Sequence, residues 1–260
     1  MSDKRTNLFI ILAGIFLTNA IVAEIIGVKI FSAEALLGVQ PANIHLFGDF
    51  TLDFNLTAGV VIWPVVFITT DIINEYFGKD GVRKISILTA ILIAFVFLAI
   101  YIVTVLPPAS FWLEINNSDA EGNPFNIDFA FRTIFRQGLG IIVGSLVAFL
   151  IGQLLDVYIF QKLRKITGAK MLWLRATGST LISQFFDSFI VLVIAFYIWG
   201  NWSFNQVIAV GIMNCIYKFA VAIIVTPLIY LGHYLIDLYL GRELANEMTE
   251  EAAKGSQSFI

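Results

Sequence analysis

Long apolar segments separated by short polar ones dominate the chain. Six of these segments exceed the ~20 residues that a membrane-spanning helix needs, and they cover residues 7–30, 56–76, 85–106, 136–160, 176–198 and 204–236. The last is longer than one crossing requires, which predicts a tilted helix, a bend at Pro227, or a continuation along the cytoplasmic surface. The pattern predicts an all-α, polytopic membrane protein that forms one six-helix bundle over residues 1–260. The polar C-terminal tail at 239–260 is expected to be a solvated helix or a disordered end.

Composition and charge support this architecture and predict its orientation. The chain has 260 residues, of which 58% are hydrophobic and 13% are charged, against roughly 25% charged residues in soluble proteins. Cytoplasmic segments of membrane proteins are rich in Lys and Arg, and 12 of the 16 basic residues share a side with the N-terminus: Lys4, Arg5, Lys79, Arg83, Lys84, Lys162, Arg164, Lys165, Lys170, Arg175, Arg242 and Lys254. The N-terminus is therefore predicted to be cytoplasmic. The loop 107–132 on the opposite side is either a lid over an entrance or a tolerated surface loop.

Two ionisable residues lie near the middle of predicted spans. Asp187 is at the centre of the fifth span, and Lys218 is near the middle of the embedded part of the sixth. A charge at this depth costs at least ~2.5–3.5 kcal/mol on insertion scales, so such residues usually face the bundle interior and serve a function. Opposite charges at similar depth predict mutual neutralisation, and the alternative role is an ion pair that only joins two helices. Glu24 and Lys29, in the outer third of the first span, are also within reach of the interface.

The fifth span carries a polar face around Asp187. Ser179 and Ser183 precede Asp187 at four-residue intervals, and Gln184 lies three residues before it, so their side chains share one broad side of a helix. This face offers both hydrogen-bond donors and acceptors, as a planar polar ligand requires. Arg175, at the start of the same span, is either a basic anchor at the cytoplasmic surface or part of the substrate path.

The fourth span combines a ridge of small residues with a polar end. The ridge allows a neighbouring helix to pack closely, and it consists of Gly140, Gly144, Ala148 and Gly152. Gln153 and Asp156 follow with the same Gln-x-x-Asp spacing as Gln184 and Asp187, which hints at an internal repeat. Asp156 lies near the cytoplasmic end, where solvation at the interface is an alternative to a binding role.

The second span ends with two carboxylates on one face. Asp71 and Glu75 are four residues apart, with Asn74 beside them. Such a pair can share a proton, accept hydrogen bonds from a ligand, or bind basic residues at the cytoplasmic surface. Pro64 is expected to loosen this span, because proline removes a backbone hydrogen bond.

Several functional classes find no support in the sequence. The chain has no Gly-x-x-x-x-Gly-Lys-Ser/Thr loop, so it does not encode ATP hydrolysis. One cysteine and two distant histidines argue against a disulfide or a structural zinc site. We therefore expect neither an enzyme nor a bound cofactor.

Four segments resemble the VUT family of queuosine precursor transporters. They are DIINEYFGK at 71–79, GQLLDVYIF at 152–160, RATGSTLISQFFDSFIVL at 175–192 and YKFAVAIIVTPLIY at 217–230. The resemblance extends over nearly the whole chain and keeps the order of the motifs, whereas the long loop 107–132 departs from it.

The resemblance implies uptake of 7-cyano-7-deazaguanine or its aminomethyl relative across a bacterial inner membrane, for queuosine in tRNA. It transfers substrate-binding roles to Asp71, Glu75, Gln153, Asp156, Arg175, Ser179, Gln184, Asp187 and Lys218. A guanine-like ring has N–H donors along one edge and a carbonyl acceptor. Our hypothesis is that Asp187 or Glu75 binds the donor edge and that Gln184 or Lys218 binds the carbonyl.

The expected partners are thus a purine-like small molecule and the lipid bilayer, without nucleic acid, and association into a homo-oligomer is left open. Two other functions compete with this one. The chain could be the substrate-binding subunit of a multi-chain, ATP-driven vitamin importer, or a structural membrane protein without a ligand.

Overall fold

The computed structural model describes residues 2–27, 29–47, 50–136, 139–167 and 171–254. Lys170, one of the basic residues predicted to be cytoplasmic, lies outside these ranges. The helices are α1 (Ser2–Ile26), α2 (Ala33–Leu37), α3 (Trp63–Val105), α4 (Ser110–Ile115), α5 (Ile127–Phe135), α6 (Leu139–Thr167), α7 (Leu172–Leu192), α8 (Phe204–Leu240) and α9 (Arg242–Lys254). The strands are β1 (Ile30–Ser32), β2 (Ile44–Phe47), β3 (Phe50–Leu52) and β4 (Asn55–Thr57).

Within the described residues, five helices are long and apolar enough to cross a membrane. They contain Asp3–Ile26, Trp63–Val105, Ile141–Thr167, Leu172–Ile198 and Phe204–Leu240. This confirms a predominantly helical, multi-pass membrane protein. The predicted spans 56–76 and 85–106 both fall largely on α3, whose 43 residues extend ~64 Å at the usual rise per residue.

A bend divides α3 into two segments. Gly78 has φ 67° and ψ −171°, which is not helical and belongs to a backbone region that essentially only glycine occupies. The expectation for Pro64 was wrong, because this residue lies in the first turn of α3 after a 3-10 turn at Ala58–Val61. In a first turn the missing proline N–H has no helical partner to lose.

The ridge of small residues on α6 packs against α7 and the π-helix Val193–Ile198 that continues it. A Cβ atom on Gly144 would lie 3.3 Å from the Val191 carbonyl oxygen, and one on Gly152 would lie 3.6 Å from the Asp187 Cβ. Ala148 is buried between them. The predicted packing role is confirmed at Gly144, Ala148 and Gly152.

The C-terminal tail is a helix with one buried side, rather than a fully solvated segment. Leu244, Ala245 and Met248 of α9 belong to the main hydrophobic core, together with residues of α1, α3, α6 and α8. Glu247 and Glu251 of α9 each lie 2.9 Å from the guanidinium of Arg5 on α1. The tail therefore closes one end of the bundle, which we call the α9 end.

The opposite end carries short strands that the sequence analysis did not predict. β1 pairs with β4 and β2 pairs with β3, both antiparallel. The buried carboxylate of Glu34 joins this region by accepting hydrogen bonds from the Phe54 N–H at 2.6 Å, the Ser32 hydroxyl at 2.9 Å and the Ala42 N–H at 3.4 Å. The Phe54 N–H is the main cause that lowers the pKa of Glu34.

Candidate functional site

The helices bring the predicted polar residues into two groups at different depths. The inner cluster lies toward the α9 end and comprises Asp71, Glu75, Asp156, Arg164 and Arg175. The mid-bundle pair consists of Asp187 on α7 and Lys218 on α8. Arg175 and Asp187 are twelve residues apart on α7, ~18 Å along the helix, whereas Asp156, which binds Ser183, lies at the side of the inner cluster nearest the mid-bundle pair.

Glu75 is the anionic centre of the inner cluster. Arg175 donates to both of its carboxylate oxygens, from Nη2 to Oε1 at 2.6 Å and from Nε to Oε2 at 3.1 Å. Arg164 adds a contact from Nη2 to Oε1 at 3.4 Å and donates to the Glu75 carbonyl oxygen at 3.1 Å. All three side chains are at most 6% exposed. Such bidentate pairing fixes both partners in position.

Arg164 also connects the inner cluster to α9. Its Nη2 donates to the Thr249 carbonyl oxygen at 2.6 Å. The basic residue that the sequence analysis assigned only to the inside-positive pattern is therefore part of a buried network. A signal was present, because Arg164 follows Asp156 by eight residues, about two helical turns, and so lies on the same side of α6.

Asp156 is held by hydroxyl groups of α7. Its Oδ1 accepts hydrogen bonds from Ser183 at 3.2 Å and from Thr180 at 3.4 Å, and Ser179 also contributes a hydrogen bond. The residue is 5% exposed, so the alternative of solvation at the interface was wrong. Ser179 and Ser183 thus donate to Asp156 and not to a ligand at Asp187. The polar face of α7, which the spacing had assigned to one ligand, therefore contributes to two groups.

Asp71 borders a small cavity between α3, α7 and α8. Phe67, Thr177 and Thr180 line this cavity with it, and the volume open to the centre of a water molecule is about 10 Å³, enough for about one water. Asp71 is 1% exposed, and its Oδ1 has no hydrogen-bond partner among the described residues. Binding of a larger polar molecule here requires the helices to move apart, since ligand pockets usually measure ~300–1,000 Å³.

Amide side chains surround the inner cluster. Gln153 accepts a hydrogen bond from the Thr70 hydroxyl at 3.3 Å, and the Asn74 Oδ1 accepts one from Gln161 at 2.6 Å. Gln184 is 7% exposed on α7, three residues before Asp187. Both predicted glutamines thus face the bundle interior.

The mid-bundle pair is formed as the depth argument predicted. The Lys218 ammonium donates to the Asp187 Oδ2, and the side chains are 21% and 22% exposed, respectively. Glu24 of α1 lies within electrostatic range of Asp187 and accepts a hydrogen bond from the Ser145 hydroxyl at 2.6 Å. Glu24 therefore faces the bundle, which the sequence alone had left undecided.

A further polar contact links α3 to α8. The Tyr76 hydroxyl donates to Asp237 Oδ1 at 2.7 Å and lies 3.1 Å from the His233 Nδ1. The rings of Tyr76 and His233 have centroids 5.2 Å apart. Sequence reasoning identified no role for these residues, because their spacing in the chain gives no sign of the contact.

Comparison with known proteins gives consistent results. The model of a family described as "Putative vitamin uptake transporter" matches residues 57–232. The chain is 33% identical over 198 residues to a "Probable queuosine precursor transporter" of Bacillus subtilis (strain 168), which covers 75% of this chain and 76% of that protein. It is 28% identical over 145 residues to the protein of the same name in Haemophilus influenzae (55% and 53% covered). It is 29% identical over 146 residues to the "Queuosine precursor transporter" of Escherichia coli K12 (56% and 58% covered). No solved structure matches the chain.

Proposed function

Because this chain belongs to the family of vitamin uptake transporters, we propose that it carries a queuosine precursor across a bacterial membrane into the cytoplasm. The substrates are 7-cyano-7-deazaguanine and its aminomethyl relative. In this proposal the chain acts as a transporter and not as an enzyme.

The proposed topology has six crossings with the N-terminus in the cytoplasm. The bend at Gly78 divides α3 into residues 63–77, which complete one crossing together with the preceding 3-10 turn Ala58–Val61, and residues 79–105, which form the next crossing. An even number of crossings is supported by the contact between Arg5 near the N-terminus and Glu247 and Glu251 of α9, which requires both termini on one side. The excess of basic residues at this end favours the cytoplasm.

The mid-bundle pair is the proposed substrate site, and its geometry is the observation that carries the proposal. Asp187 and Lys218 present an acceptor and a donor side by side, and each side chain is about one-fifth exposed. A 7-deazaguanine has an N–H donor next to a carbonyl acceptor on its pyrimidine ring, which matches this order. The carboxylate binds the N–H edge, the ammonium binds the carbonyl oxygen, and Gln184 adds a further donor or acceptor.

Glu75 is a less suitable residue than Asp187 for binding the N–H edge of the substrate. Both of its oxygens already accept hydrogen bonds from Arg175, and separating a buried pair of this kind leaves an uncompensated charge. By contrast, a substrate that binds between Asp187 and Lys218 gives each of them a new hydrogen-bond partner in place of the other. We therefore assign Asp187 and Lys218 to recognition, and Glu75 to the structure around the site.

The test uses cells that cannot make the precursor and are supplied with it externally. Wild-type protein should restore queuosine in tRNA, and Asp187→Asn should reduce uptake at least tenfold, because the amide cannot replace the anion that binds two N–H donors. Asp3→Asn, an exposed change of the same type at the start of α1, is the matched control. Undiminished uptake by Asp187→Asn at equal protein level would contradict the proposed site, and failure of the wild type would contradict the function.

Reconstitution separates this proposal from the ATP-driven importer. The purified chain alone, in liposomes without any ATPase, should exchange labelled 7-cyano-7-deazaguanine for the unlabelled compound. A strict requirement for a second, ATP-hydrolysing chain would favour the substrate-binding subunit instead.

A further inference from the structure

Two buried carboxyls of the inner cluster, to which the resemblance gave substrate-binding roles, lie outside the substrate site proposed above. Asp71 and Asp156 are 1% and 5% exposed, and they come from α3 and α6. Each has one oxygen, Oδ1 of Asp71 and Oδ2 of Asp156, without a hydrogen-bond partner among the residues that the structure describes. A buried polar atom without a partner is costly, so a ligand that supplies a donor to these oxygens is expected.

The two carboxyls share one neighbourhood. Asp71 lies within electrostatic range of Asp156. Thr180 connects them, because it lines the cavity beside Asp71 and donates to Asp156 Oδ1. The cavity between α3, α7 and α8 holds about one water, so the ligand has to be very small.

Asp71, Asp156 and the charged groups around them add up to one excess negative charge. Glu75 of α3 acts electrostatically on Asp71, and it binds Arg164 of α6 and Arg175 of α7. Helix α8 faces the cavity with apolar side chains, and α9 contributes the neutral Thr249 carbonyl. The inner cluster thus contains three carboxyls and two guanidiniums, so one excess negative charge remains when all are ionised, and a single proton makes the cluster neutral.

The remaining titratable groups do not supply this charge. His233 of α8 lies within range of both guanidiniums, and its Nε2 has no partner within the described part of the chain, so a protonated ring would leave a buried N–H unpaired. Lys218 is engaged by Asp187 in the other group, and Glu24 of α1 bonds to Ser145.

We propose that Asp71 and Asp156 form a proton-binding pair and that one proton moves inward with each substrate molecule. The proton relieves the repulsion between the carboxyls and gives their unpartnered oxygens a donor. This inference rests on the proposed transport function and adds its energy source.

Helix α7 provides the connection between proton and substrate. Ser183 binds Asp156, and Asp187 of the mid-bundle pair lies one turn further along the same helix. A change in the charge of Asp156 alters the hydrogen bonds that hold α7, and the same helix positions the carboxylate that binds substrate.

The experiment uses the full-length protein in liposomes with labelled 7-cyano-7-deazaguanine and an imposed pH gradient, acidic outside. One coupled proton supports about tenfold accumulation per unit of pH gradient, and a protonophore should abolish it. Asp71→Asn and Asp156→Asn should lose this accumulation but retain exchange of labelled for unlabelled substrate, since exchange requires no net proton movement. Asp3→Asn should accumulate substrate like the wild type, and Asp187→Asn should lose both activities.

The possible outcomes are distinct. Exchange by the wild type without any effect of the pH gradient overturns the proton inference but leaves the transport function intact. Absence of wild-type exchange overturns the function itself. Loss of exchange in folded Asp71→Asn and Asp156→Asn would show that the pair binds substrate, which also overturns the inference. If these variants do not fold, the proton-to-substrate ratio of the wild type decides, and a ratio other than one contradicts the proposal.

Discussion

Replacing Glu75 by Gln should destabilise the protein strongly, because it removes the anion between two buried guanidiniums. Arg175 and Arg164 are 2% and 5% exposed, so water cannot solvate their guanidiniums in place of the lost carboxylate. Breaking a buried ion pair from one side costs ~3–5 kcal/mol. At ~2–4 °C for each kcal/mol in chains of this size, the midpoint of thermal unfolding should fall by roughly 6–20 °C.

The protein contains its own reporter for this measurement. Cys215 is the single cysteine of the chain, and it is buried in α8. A thiol-reactive dye that becomes fluorescent on coupling will therefore report unfolding of the purified protein in detergent.

Two comparison variants decide whether burial is the cause. Glu247→Gln removes a carboxylate that is 53% exposed and contacts Arg5, and such pairs contribute ~0–1 kcal/mol. Asp187→Asn should lie between the two, because both members of its pair are about one-fifth exposed. If Glu75→Gln unfolds at the same temperature as Glu247→Gln, the assignment of Glu75 to a structural role is wrong. If Asp187→Asn loses stability as strongly as Glu75→Gln, the mid-bundle pair only joins helices.

Three further predictions concern backbone geometry and pH. Gly78→Ala should detach α9, because alanine rarely adopts φ 67° and its Cβ would lie 3.2 Å from the Ala252 carbonyl oxygen; hydrogen exchange of α9 should rise at least tenfold, and unchanged exchange would contradict this. Gly144→Val should lower the unfolding midpoint, since the valine side chain would push α6 away from the backbone of the π-helix. Gly14→Val, at a position with open space around it, should not. The lowered pKa of Glu34 means that the ionised carboxylate stabilises the fold fully above the ordinary glutamate pKa of ~4.3. This stabilisation is lost as the pH falls through the lowered pKa, and the Phe54 amide should then exchange faster. Glu34→Gln should remove this pH dependence.

Depth and periodicity predicted the features that depend on a single helix. The membrane cost of a charge identified Asp187 and Lys218 without any knowledge of neighbours, and their similar depth indicated mutual neutralisation, although only the structure shows their contact. The four-residue repeat of small side chains likewise predicted the close approach at Gly144. In each case one helix, considered alone, carried the relevant physical constraint.

Features that depend on which helices are neighbours were not predictable in this way. Glu75 and Arg175 are a hundred residues apart, and a helical face does not indicate which other face it meets. Asp156 lies toward the α9 end and is nevertheless buried, because the hydroxyl groups of α7 cover it, and the sequence of α6 does not show that neighbour. For α9 the signal existed, since Leu244, Met248 and Ala252 recur every four residues, but the many acidic residues around them favoured a solvated tail.

The buried polar residues form three sets that differ in how far their charges are already satisfied, and this difference supports the proposed roles better than depth does. Glu75 has a donor for every oxygen, so a substrate can reach it only by breaking a buried network that also holds α9 through Thr249. Asp187 and Lys218 have one another, and a molecule with a donor beside an acceptor can replace this contact on both sides at once. Asp71 and Asp156 have more acceptor oxygens than donors, and the cavity of about 10 Å³ beside Asp71 has room for about one water. Glu75, whose oxygens all have donors, therefore fits a structural role. Asp187 and Lys218, which can exchange partners, fit substrate binding, and Asp71 and Asp156, which lack donors, fit proton binding.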